Sequence, residues 1–289
     1  MKKISNNLLK FIRVFLPIKT QIKLEMRIKC KRKMNFKNPE RFTEKIQLYK
    51  LNYHNDLLTK CADKYEVRDF VAKRGLGHIL NEVYGVYDKP EQIKFNELPE
   101  KFVIKLNFGS GFNILVDNKA TIDEKTIIKQ LKKWLKYPSS FFGSEWAYKN
   151  IKRKIIIEKY LPFNENEDLP DYKFFCFDGE TDYLYVMTNY VKNHSQGVLN
   201  FYDTNFNLTK YGRKDYAISS IPMPKPQNFE KMIEYARILS AGFPHARVDF
   251  YNIDGQIVFG EITFYTNGGF INFKPDDFDY ILGEKFDIK

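Results

Sequence analysis

The segment 246–264, "ARVDFYNIDGQIVFGEITF", restricts the fold more than any other part of this chain. Apolar residues alternate with polar ones on both sides of Asp254-Gly255, which is typical of two antiparallel strands joined by a tight turn. We expect Ile253 to complete a three-residue loop with this dipeptide, because glycine fits the left-handed position that ends such a loop. That register pairs the following residues across the hairpin: Asn252 with Gln256, Phe250 with Val258, and Arg247 with Glu261.

The two faces of this hairpin differ in chemistry. The face predicted to point into the core holds Val248, Phe250 and Val258. The opposite face is polar and holds Arg247, Asp249, Glu261 and Thr263. Carboxylate oxygens are ligands that Mg²⁺ prefers, and a guanidinium can hold a developing negative charge, so the polar face is a candidate metal site. The alternative is a surface ladder of salt bridges, and a two-residue loop would place the two carboxylates on opposite faces.

A second strand carries a lysine into a glycine-rich loop. In "KFVIKLNFGSGFN" (101–113), Phe102 and Ile104 share one face, Lys105 lies on the other, and the strand ends in Gly109-Ser110-Gly111. Glycine allows backbone N–H groups to approach a ligand closely, and a lysine beside such a loop makes a phosphate site. The alternative at this point is an edge strand followed by an ordinary turn.

The net charge of +11 is concentrated at the N-terminus. Residues 1–37 carry 12 Lys/Arg and one acid, Glu25, so the rest of the chain is neutral overall. Proteins that bind nucleic acid through their folded body usually carry a basic face there, and we expect no nucleic-acid partner, with an RNA-binding arm as the alternative. Residues 5–34 read as one or two basic helices broken near Pro17. An apolar stripe runs along this segment: Leu8, Leu9, Ile12, Phe15 and Leu16.

This basic arm suggests contact with an anionic membrane surface through residues 1–34. The alternative is a helix that packs on the body of the protein. No apolar run approaches the roughly 18 residues of a membrane span, and no signal-peptide cleavage site follows the first lysines. The three cysteines form no C-x-x-C pair, which indicates a reducing compartment. We therefore expect a cytoplasmic protein, peripheral on the inner face of the cytoplasmic membrane if the arm binds lipid.

Helical and strand patterns occur in mixed order along the chain. Helices are expected from Asn38-Pro39 onward, in segments ending at Gly75, and at 123–137 and 229–243. Besides the two segments above, strands are expected at 114–116, at 154–162 and in a hairpin at 171–189. Short helices, sheets and hairpins in this order indicate an α+β fold.

Six motifs in this order resemble the ATP-grasp superfamily, and its TupA-like branch in particular. They are "NPERFTEKIQLYKL", "KCADKYEVRDFV", "KFVIKLNFGSGFN", "LPDYKFFCFDG", "FPHARVDFYNIDG" and "FGEITFYTNGGF". The resemblance implies an ATP-grasp fold, in which two α+β lobes clamp ATP after a short helical N-terminal region. The implied domains are a basic amphipathic arm (1–35), a helical region (36–100), a lobe with phosphate lid and hinge (101–162) and a C-terminal lobe with the metal-binding hairpin (163–289).

The resemblance also implies roles for individual residues. The implied ATP-binding residues are Lys105 at the phosphates, the lid residues Gly109, Ser110 and Gly111, the hinge residues Glu158, Lys159, Tyr160 and Leu161, Asp171 near the ribose, and Lys173 as a second phosphate-facing cation. Arg247 would stabilise an acyl phosphate and the transition state. Asp249 and Glu261 would hold Mg²⁺. The usual Glu-x-Asn pair reads Glu261-Ile262-Thr263 here, so the third metal ligand is either Thr263 or Asn267.

The implied activity is an ATP- and magnesium-dependent carboxylate–amine ligase. TupA-like proteins are associated with cell-surface polysaccharide synthesis, so the expected partners are an amine and a small-molecule or lipid-linked carbohydrate carboxylate, such as a uronic acid. One alternative is a glycosyltransferase whose metal-binding triplet is Asp277-Phe278-Asp279, although these acids also suit an early helical turn. Another is a non-catalytic adaptor docked by the arm. His245, close to Arg247, is a further candidate to line the site.

Overall fold

The computed structural model describes Arg13 and residues 15–138, 144–163, 168–189 and 197–288. Within these residues the chain forms seven α-helices and eleven β-strands. The helices are α1 Ile18–Glu25, α2 Phe42–Asn52, α3 Asp56–Ala62, α4 Val67–Val71, α5 Glu124–Leu135, α6 Phe229–Ser240 and α7 Phe278–Lys285. The strands are β1 Val83–Tyr87, β2 Phe102–Leu106, β3 Asn113–Val116, β4 Ile155–Lys159, β5 Asp171–Phe177, β6 Glu180–Thr188, β7 Val198–Asp203, β8 Gly212–Arg213, β9 Ala246–Ile253, β10 Gln256–Thr263 and β11 Phe273–Lys274.

Two antiparallel sheets organise these elements. A four-stranded sheet has the order β1-β4-β2-β3, and a five-stranded sheet has the order β10-β9-β5-β6-β7. The short strands β8 and β11 pair with each other. Helices α2 to α4 precede both sheets in the chain. This mixture confirms the expected α+β class with a short helical region before the sheets.

The lysine-bearing strand β2 lies between β3 and β4 in the four-stranded sheet. Phe102, Ile104 and Leu106 are almost fully buried and belong to the same apolar core as Ile127 of α5. Lys105 alternates with these residues and therefore extends from the opposite face. The faces expected from the sequence are confirmed, and the Lys105 ammonium points away from this part of the core.

One face of the five-stranded sheet is apolar, and the other carries charged residues beside the buried ring of Phe175. On the apolar face, Phe174 packs against Phe229 of α6, with ring centroids 6.0 Å apart. On the other face, Lys173 of β5 lies beside Asp249 of β9 and Tyr185 of β6 in the strand register. Residues directly opposite one another on neighbouring strands share a face, so the sheet gathers two charged side chains and a tyrosine from three strands on one surface.

The register of the β9–β10 hairpin differs from the expected one. Ile253 pairs with Gln256, so the loop consists of the two residues Asp254 and Gly255. Both have a positive φ, 50° and 87°, which is the geometry of a type I′ turn. The expected three-residue loop is wrong because Asp-Gly is itself a favoured type I′ sequence.

A β-bulge at Gly260 restores the faces that a two-residue turn alone would have exchanged. Phe250 pairs with Phe259, whereas the next pair joins Asp249 to Glu261 and skips Gly260. Glycine is needed at this position, because a Cβ would lie 2.9 Å from the backbone oxygen of Asp249. The two carboxylates therefore lie directly opposite each other on the polar face.

The bulge also changes the face of one apolar residue. Val258 lies opposite Tyr251, so its expected position on the core face is wrong, and Phe259 takes that position. Beyond the bulge, Thr263 lies opposite Arg247. The four polar residues expected on one face of the hairpin do share it.

Helix α2 begins at Phe42, later than the expected start at Asn38-Pro39. The Glu44 carboxylate accepts hydrogen bonds from the backbone N–H groups of Asn35 (3.0 Å) and Arg41 (3.4 Å). A glutamate in the first turn caps the helix in this way. Proline therefore lies in the extended segment before the helix and not in its first turn.

The described part of the basic arm packs against the body of the protein. Helix α1 begins directly after Pro17, which confirms the expected break, and it buries Ile22. Met26 is buried next to it, and Arg32 reaches Asp279 of α7 at 2.7 Å. Among the described residues, no helix is long and apolar enough to cross a bilayer. Part of the expected apolar stripe lies outside the described residues: Leu8, Leu9 and Ile12.

Candidate active site

The charged face of the five-stranded sheet is built around a buried arginine. Arg247 is 7% exposed, and its Nε and one Nη donate to the two carboxylate oxygens of Asp249, each at 2.7 Å. Asp249 itself is 1% exposed. Burial opposes the charge on Arg247, but Asp249 outweighs this effect and holds the pKa of the guanidinium well above its ordinary value. The bidentate pair fixes the plane of the guanidinium.

A buried lysine extends this ion pair toward the start of β5. Lys173 lies 2.5 Å from a carboxylate oxygen of Asp249 and 2.5 Å from one of Asp171. Burial opposes its charge, but the two carboxylates outweigh burial and hold the pKa of Lys173 well above its ordinary value. Lys173 is therefore a permanent cation of the cluster.

One carboxylate oxygen of Asp171, at the edge of the cluster, is unpaired in the described part of the chain. Burial raises the pKa of Asp171 to about 6, although Lys173 works in the opposite direction. Its Oδ1 is buried and has no hydrogen-bond partner within the described part of the chain. A buried unpaired oxygen in a charged cluster suits a ligand that donates a hydrogen bond, such as a sugar hydroxyl.

Glu261 joins the arginine cluster to the helical region. Its Oε1 accepts from Arg247 at 3.2 Å and from the Thr263 hydroxyl at 3.3 Å, and its Oε2 lies 3.2 Å from Lys64. Burial raises the pKa of Glu261, but the charges of Lys64 and Arg247 outweigh burial and lower it to about 2. Glu261 is thus a carboxylate at neutral pH, and its side chain is 31% exposed, so a ligand can reach it.

Asp249, Glu261 and Thr263 offer oxygen ligands to a hard cation. No group of three or more His, Cys, Asp or Glu side chains is arranged to hold a metal within the residues that the structure describes. Mg²⁺ is usually bound by one or two carboxylates together with phosphate oxygens and water, so two facing carboxylates fit it. In the described structure Asp249 Oδ1 accepts one hydrogen bond, from Arg247.

Asn267, the other candidate for a third ligand, lies in the turn after β10. It is exposed, and its amide donates to the backbone oxygen of Phe270 at 2.9 Å. The Thr263 hydroxyl, in contrast, lies within hydrogen-bond distance of both Arg247 and Glu261. The geometry favours Thr263 as the neighbour of the two carboxylates.

The four-stranded sheet contributes a second ion pair. The Lys105 ammonium lies 2.6 Å from the carboxylate of Glu158 on β4. Glu158 pairs with Val103, so Lys105 and Glu158 are diagonal neighbours on one face. The Lys105 side chain is 26% exposed, which leaves the ammonium accessible to a ligand. The expected hinge residues follow this pair at the end of β4: Lys159, Tyr160 and Leu161.

The glycine loop follows β2 directly. Gly109 and Gly111 have φ values of 68° and 78°, in the left-handed region that favours glycine. Ser110 and Gly111 are exposed, whereas Phe108, which precedes the loop, is buried. A side chain at Gly111 would meet no atom within 4 Å. The loop is anchored at its start and open at its tip, as a lid over phosphates requires.

Two residues of the cluster were not anticipated. The Tyr185 hydroxyl accepts from Arg247 at 3.3 Å, and its ring centroid lies 5.9 Å from the guanidinium carbon. Alternation along the 171–189 hairpin places Tyr185 opposite Lys173, so the strand register could have revealed it. Lys64 gives no such signal, because it comes from the segment between α3 and α4.

Two other candidates have structural roles. His245 is fully buried, its Nδ1 lies 2.9 Å from the backbone oxygen of Cys176, and burial lowers its pKa to about 3. Asp279, the last residue of the acidic triplet, is fully buried and accepts from the Thr43 N–H (3.0 Å) and from Arg32 (2.7 Å). Asp279 thus holds α7 against α2, and because it is buried the triplet does not form the open metal site that a glycosyltransferase needs.

Comparison with known proteins gives one match to a family model. The model of the TupA-like ATPgrasp family matches residues 44–287, which is most of the chain. A comparison with curated proteins finds no match.

Several solved structures resemble this chain at low sequence identity. They include D-alanine–D-alanine ligases from Bacillus anthracis, complexed with ATP (16% identity, TM-score 0.42), and from Helicobacter pylori (15%, 0.40), and a RimK domain ATP-grasp protein from Sphaerobacter thermophilus (12%, 0.43). The matches cover 72%, 78% and 79% of this chain, and 56%, 61% and 69% of those chains. This chain therefore spans less than two thirds of the length of the two D-alanine–D-alanine ligases. On the family match over residues 44–287, the chain belongs to the TupA-like ATP-grasp family.

Proposed function

We propose that this protein is an ATP- and magnesium-dependent ligase that joins a carboxylate to an amine through an acyl phosphate, with release of ADP and phosphate. The observation that carries the proposal is the buried cluster in which Asp249 holds the charged side chains of Arg247 and Lys173 beside Glu261. A surface salt-bridge ladder would be exposed and weak. Burying the three charges of Arg247, Asp249 and Lys173 is costly, and clusters of perturbed charged groups are frequent at functional sites.

ATP would lie between the two sheets. We assign Lys105, the loop Gly109–Gly111 and Lys173 to the phosphates, because these groups supply cations and backbone N–H donors. The segment Glu158–Leu161 would form the hinge along the adenine, and the unpaired Asp171 Oδ1 would accept from a ribose hydroxyl. Residues 101–162, joined by β1 from the region 36–100, and residues 163–289 would then be the two ATP-grasp lobes, preceded by the helices of 36–100 and the arm 1–35.

Asp249, Glu261 and Thr263 would hold Mg²⁺. When bound, the metal would neutralise charge on the phosphoryl group during transfer. The protein holds Glu261 as a carboxylate at neutral pH, since Lys64 and Arg247 keep its pKa at about 2. Metal ligands must be deprotonated, so this shift favours metal binding.

Arg247 would be the catalytic cation. Its guanidinium is fixed by Asp249 and contacted by the Tyr185 hydroxyl, so the planar fork is already oriented. A preorganised guanidinium binds the oxygens of a transferring phosphoryl group or an acyl phosphate without reorganisation at the moment of reaction. Tyr185 acts through Arg247 and is a positioning residue.

The resemblance to the TupA-like branch supports the substrate class. The carboxylate would be a uronic acid or similar group of a cell-surface polysaccharide or capsule precursor, free or linked to a lipid carrier, and the acceptor would be an amine. A ligase of this kind acts in the cytoplasm, where ATP is available.

An acyl phosphate can be trapped without knowing the amine. The protein is incubated with Mg·ATP, a pool of uronic acids and hydroxylamine, which converts acyl phosphates into hydroxamates. We expect ADP and hydroxamate in equal amounts, loss of both in Arg247→Met, and normal amounts in Arg237→Met, a matched exposed arginine that pairs with Glu180. ADP release without hydroxamate from any carboxylate pool would contradict carboxylate activation.

The N-terminal arm would bring the enzyme to the anionic inner face of the cytoplasmic membrane. Phe15 is 68% exposed, and each basic residue near an anionic surface contributes about 1 kcal/mol. Because α1 packs on the body, the membrane-binding part is limited to the residues before Pro17. In liposome flotation the full chain should float with anionic vesicles and not with neutral ones, and deletion of residues 1–12 should release it. Equal flotation of the shortened chain would rule out the arm as the anchor.

A further inference from the structure

The motif "KCADKYEVRDFV" lies outside both sheets, yet one of its two lysines, Lys64, reaches the candidate active site. Lys64 lies between α3 and α4, outside both sheets. Its ammonium donates to the backbone oxygen of Gly109 at 2.7 Å and lies 3.2 Å from Glu261 Oε2. One side chain from the helical region thus joins the glycine loop to the metal-binding hairpin.

The backbone at Lys64 is firmly held at the base of the loop. Its N–H donates to the Asn107 backbone oxygen at 2.8 Å, and the Asn107 amide donates to Asp63 Oδ2 at 2.6 Å. Asn107 is fully buried, and its Oδ1 accepts from the Lys154 N–H at 2.7 Å. Because these bonds hold the backbone at Lys64, its side chain extends from a fixed position beside Asn107 to Gly109.

The glycine loop itself has few other attachments. Among the residues that the structure describes, the bond from Lys64 is the only side-chain hydrogen bond to the loop Gly109–Gly111. The tip is exposed, and Gly111 faces open space. The position of the loop therefore depends on whether the Lys64 ammonium stays where it is.

The same ammonium competes with any cation for Glu261. Lys64 and a metal would share the Glu261 carboxylate, and two positive charges near one another repel in a partly buried site. We propose that Lys64 is a positioning residue that couples the glycine loop to the Glu261 site: it tethers the loop while the carboxylate lacks a metal, and a divalent cation at Glu261 displaces it and frees the loop. The proposal deepens the proposed function, since it takes this cation to be Mg²⁺.

The test measures amide hydrogen exchange of residues 107–113 in nucleotide-free protein, with and without millimolar Mg²⁺. In the wild type, Mg²⁺ should speed exchange of this peptide. In Lys64→Met, exchange should already be roughly three- to tenfold faster than in the metal-free wild type, as expected for the loss of one hydrogen bond, and Mg²⁺ should not change it further. If Lys64 had only a structural role, exchange in Lys64→Met would be fast but would still respond to Mg²⁺.

Three variants serve as controls. Lys60→Met removes a nearby lysine that pairs with Asp69 on the surface, and it should behave like the wild type. Lys64→Arg keeps the charge and should restore slow, metal-sensitive exchange. Glu261→Gln should keep the bond to Gly109 but lose the metal response. Wild-type exchange in Lys64→Met, or a wild-type loop that does not respond to Mg²⁺, overturns the proposal. Because no nucleotide is used, failure of ATP binding would contradict the proposed function without deciding this test.

Discussion

Asp249 and Glu261 lie directly opposite each other on β9 and β10, although the turn that joins these strands has only two residues. An uninterrupted ladder from that turn would put the two carboxylates on opposite faces. The bulge at Gly260 supplies the extra residue that brings them together. The candidate metal pair therefore depends on a backbone irregularity that one glycine makes feasible.

Gly260→Ala should damage the site without touching a charged group. The added Cβ would lie 2.9 Å from the backbone oxygen of Asp249, so the bulge must shift. We expect a loss of about 1–3 kcal/mol in the free energy of unfolding and a larger fractional loss of ligase activity. Gly77→Ala is the control, because its Cβ would make ordinary contacts at 3.6 Å. Unchanged stability and activity in Gly260→Ala would show that the bulge is dispensable.

Glu261→Gln should separate turnover from folding. The amide keeps the shape of the side chain, so the protein should still fold, although loss of the ion pairs with Lys64 and Arg247 should lower the melting temperature. Loss of one electrostatic stabiliser of the transition state lowers turnover by about a hundredfold or more, whereas nucleotide affinity should fall less. Calorimetry and steady-state kinetics measure the two effects. ADP production at the wild-type rate by this variant would contradict the metal site and favour the alternative that the hairpin carries only a ladder of salt bridges.

Asp249→Asn should also abolish turnover, but at a clear cost in stability. Asp249 is almost completely buried and neutralises Arg247 and Lys173. Removing one partner of a buried ion pair costs about 3–5 kcal/mol, so denaturant unfolding should shift strongly. Stability equal to that of Glu261→Gln would mean that the cluster is less tightly coupled than its distances indicate.

Lys105→Met should weaken nucleotide binding and leave the fold intact. A charge-assisted hydrogen bond to phosphate contributes about 1.5–3 kcal/mol, which corresponds to roughly ten- to a hundredfold in affinity. Lys101→Met, an exposed lysine just before the same strand, is the matched control. Titration calorimetry with ATP decides the point, and equal affinity of the two variants would remove Lys105 from the phosphate site.

Asp171 should give the protein an unusual pH dependence. Burial raises its pKa from 3.8 to about 6, so the folded state binds the proton more tightly than the unfolded chain does. The stability that this protonated form contributes is complete below pH 3.8 and is lost as the pH rises toward 6. Relative to Asp171→Asn, the wild type should lose unfolding free energy between about pH 4 and 6 and then level off. If the wild type instead became more stable relative to Asp171→Asn as the pH rose from about 4 to 6, this would contradict the raised pKa of Asp171.

The sequence predicted the parts of the site that depend on local pattern. Alternation placed Lys105 on the face away from the core, and it grouped Arg247 with Asp249 because residues two apart on a strand share a face. The pattern could not give the register of the hairpin, since a bulge is marked only by one glycine among several. The correct grouping with Glu261 resulted from two errors that cancel, a loop one residue too long and a bulge that was not foreseen.

Other parts of the structure left no local signal. Lys64 reaches the site only because α3 and the end of β2 meet in three dimensions, through Asn107. Strand β1, with the sequence "VYGVY", shows no clear alternation and all five residues are half-buried, so it was not expected. Helix α2 started later than Pro39 indicated, because capping by Glu44 outweighs the preference of proline for a first turn.

The proposed ligase reaction requires that phosphate be transferred from ATP to the carboxylate. The most direct measurement uses a uronic acid substrate, found by the hydroxamate screen, whose carboxylate oxygens are labelled with ¹⁸O. If an acyl phosphate forms and the amine displaces phosphate from it, one labelled oxygen must leave with the phosphate, and mass spectrometry should detect one ¹⁸O per phosphate released with the amide. Phosphate that carries no label would contradict the account, because ATP would then be hydrolysed without activation of the carboxylate.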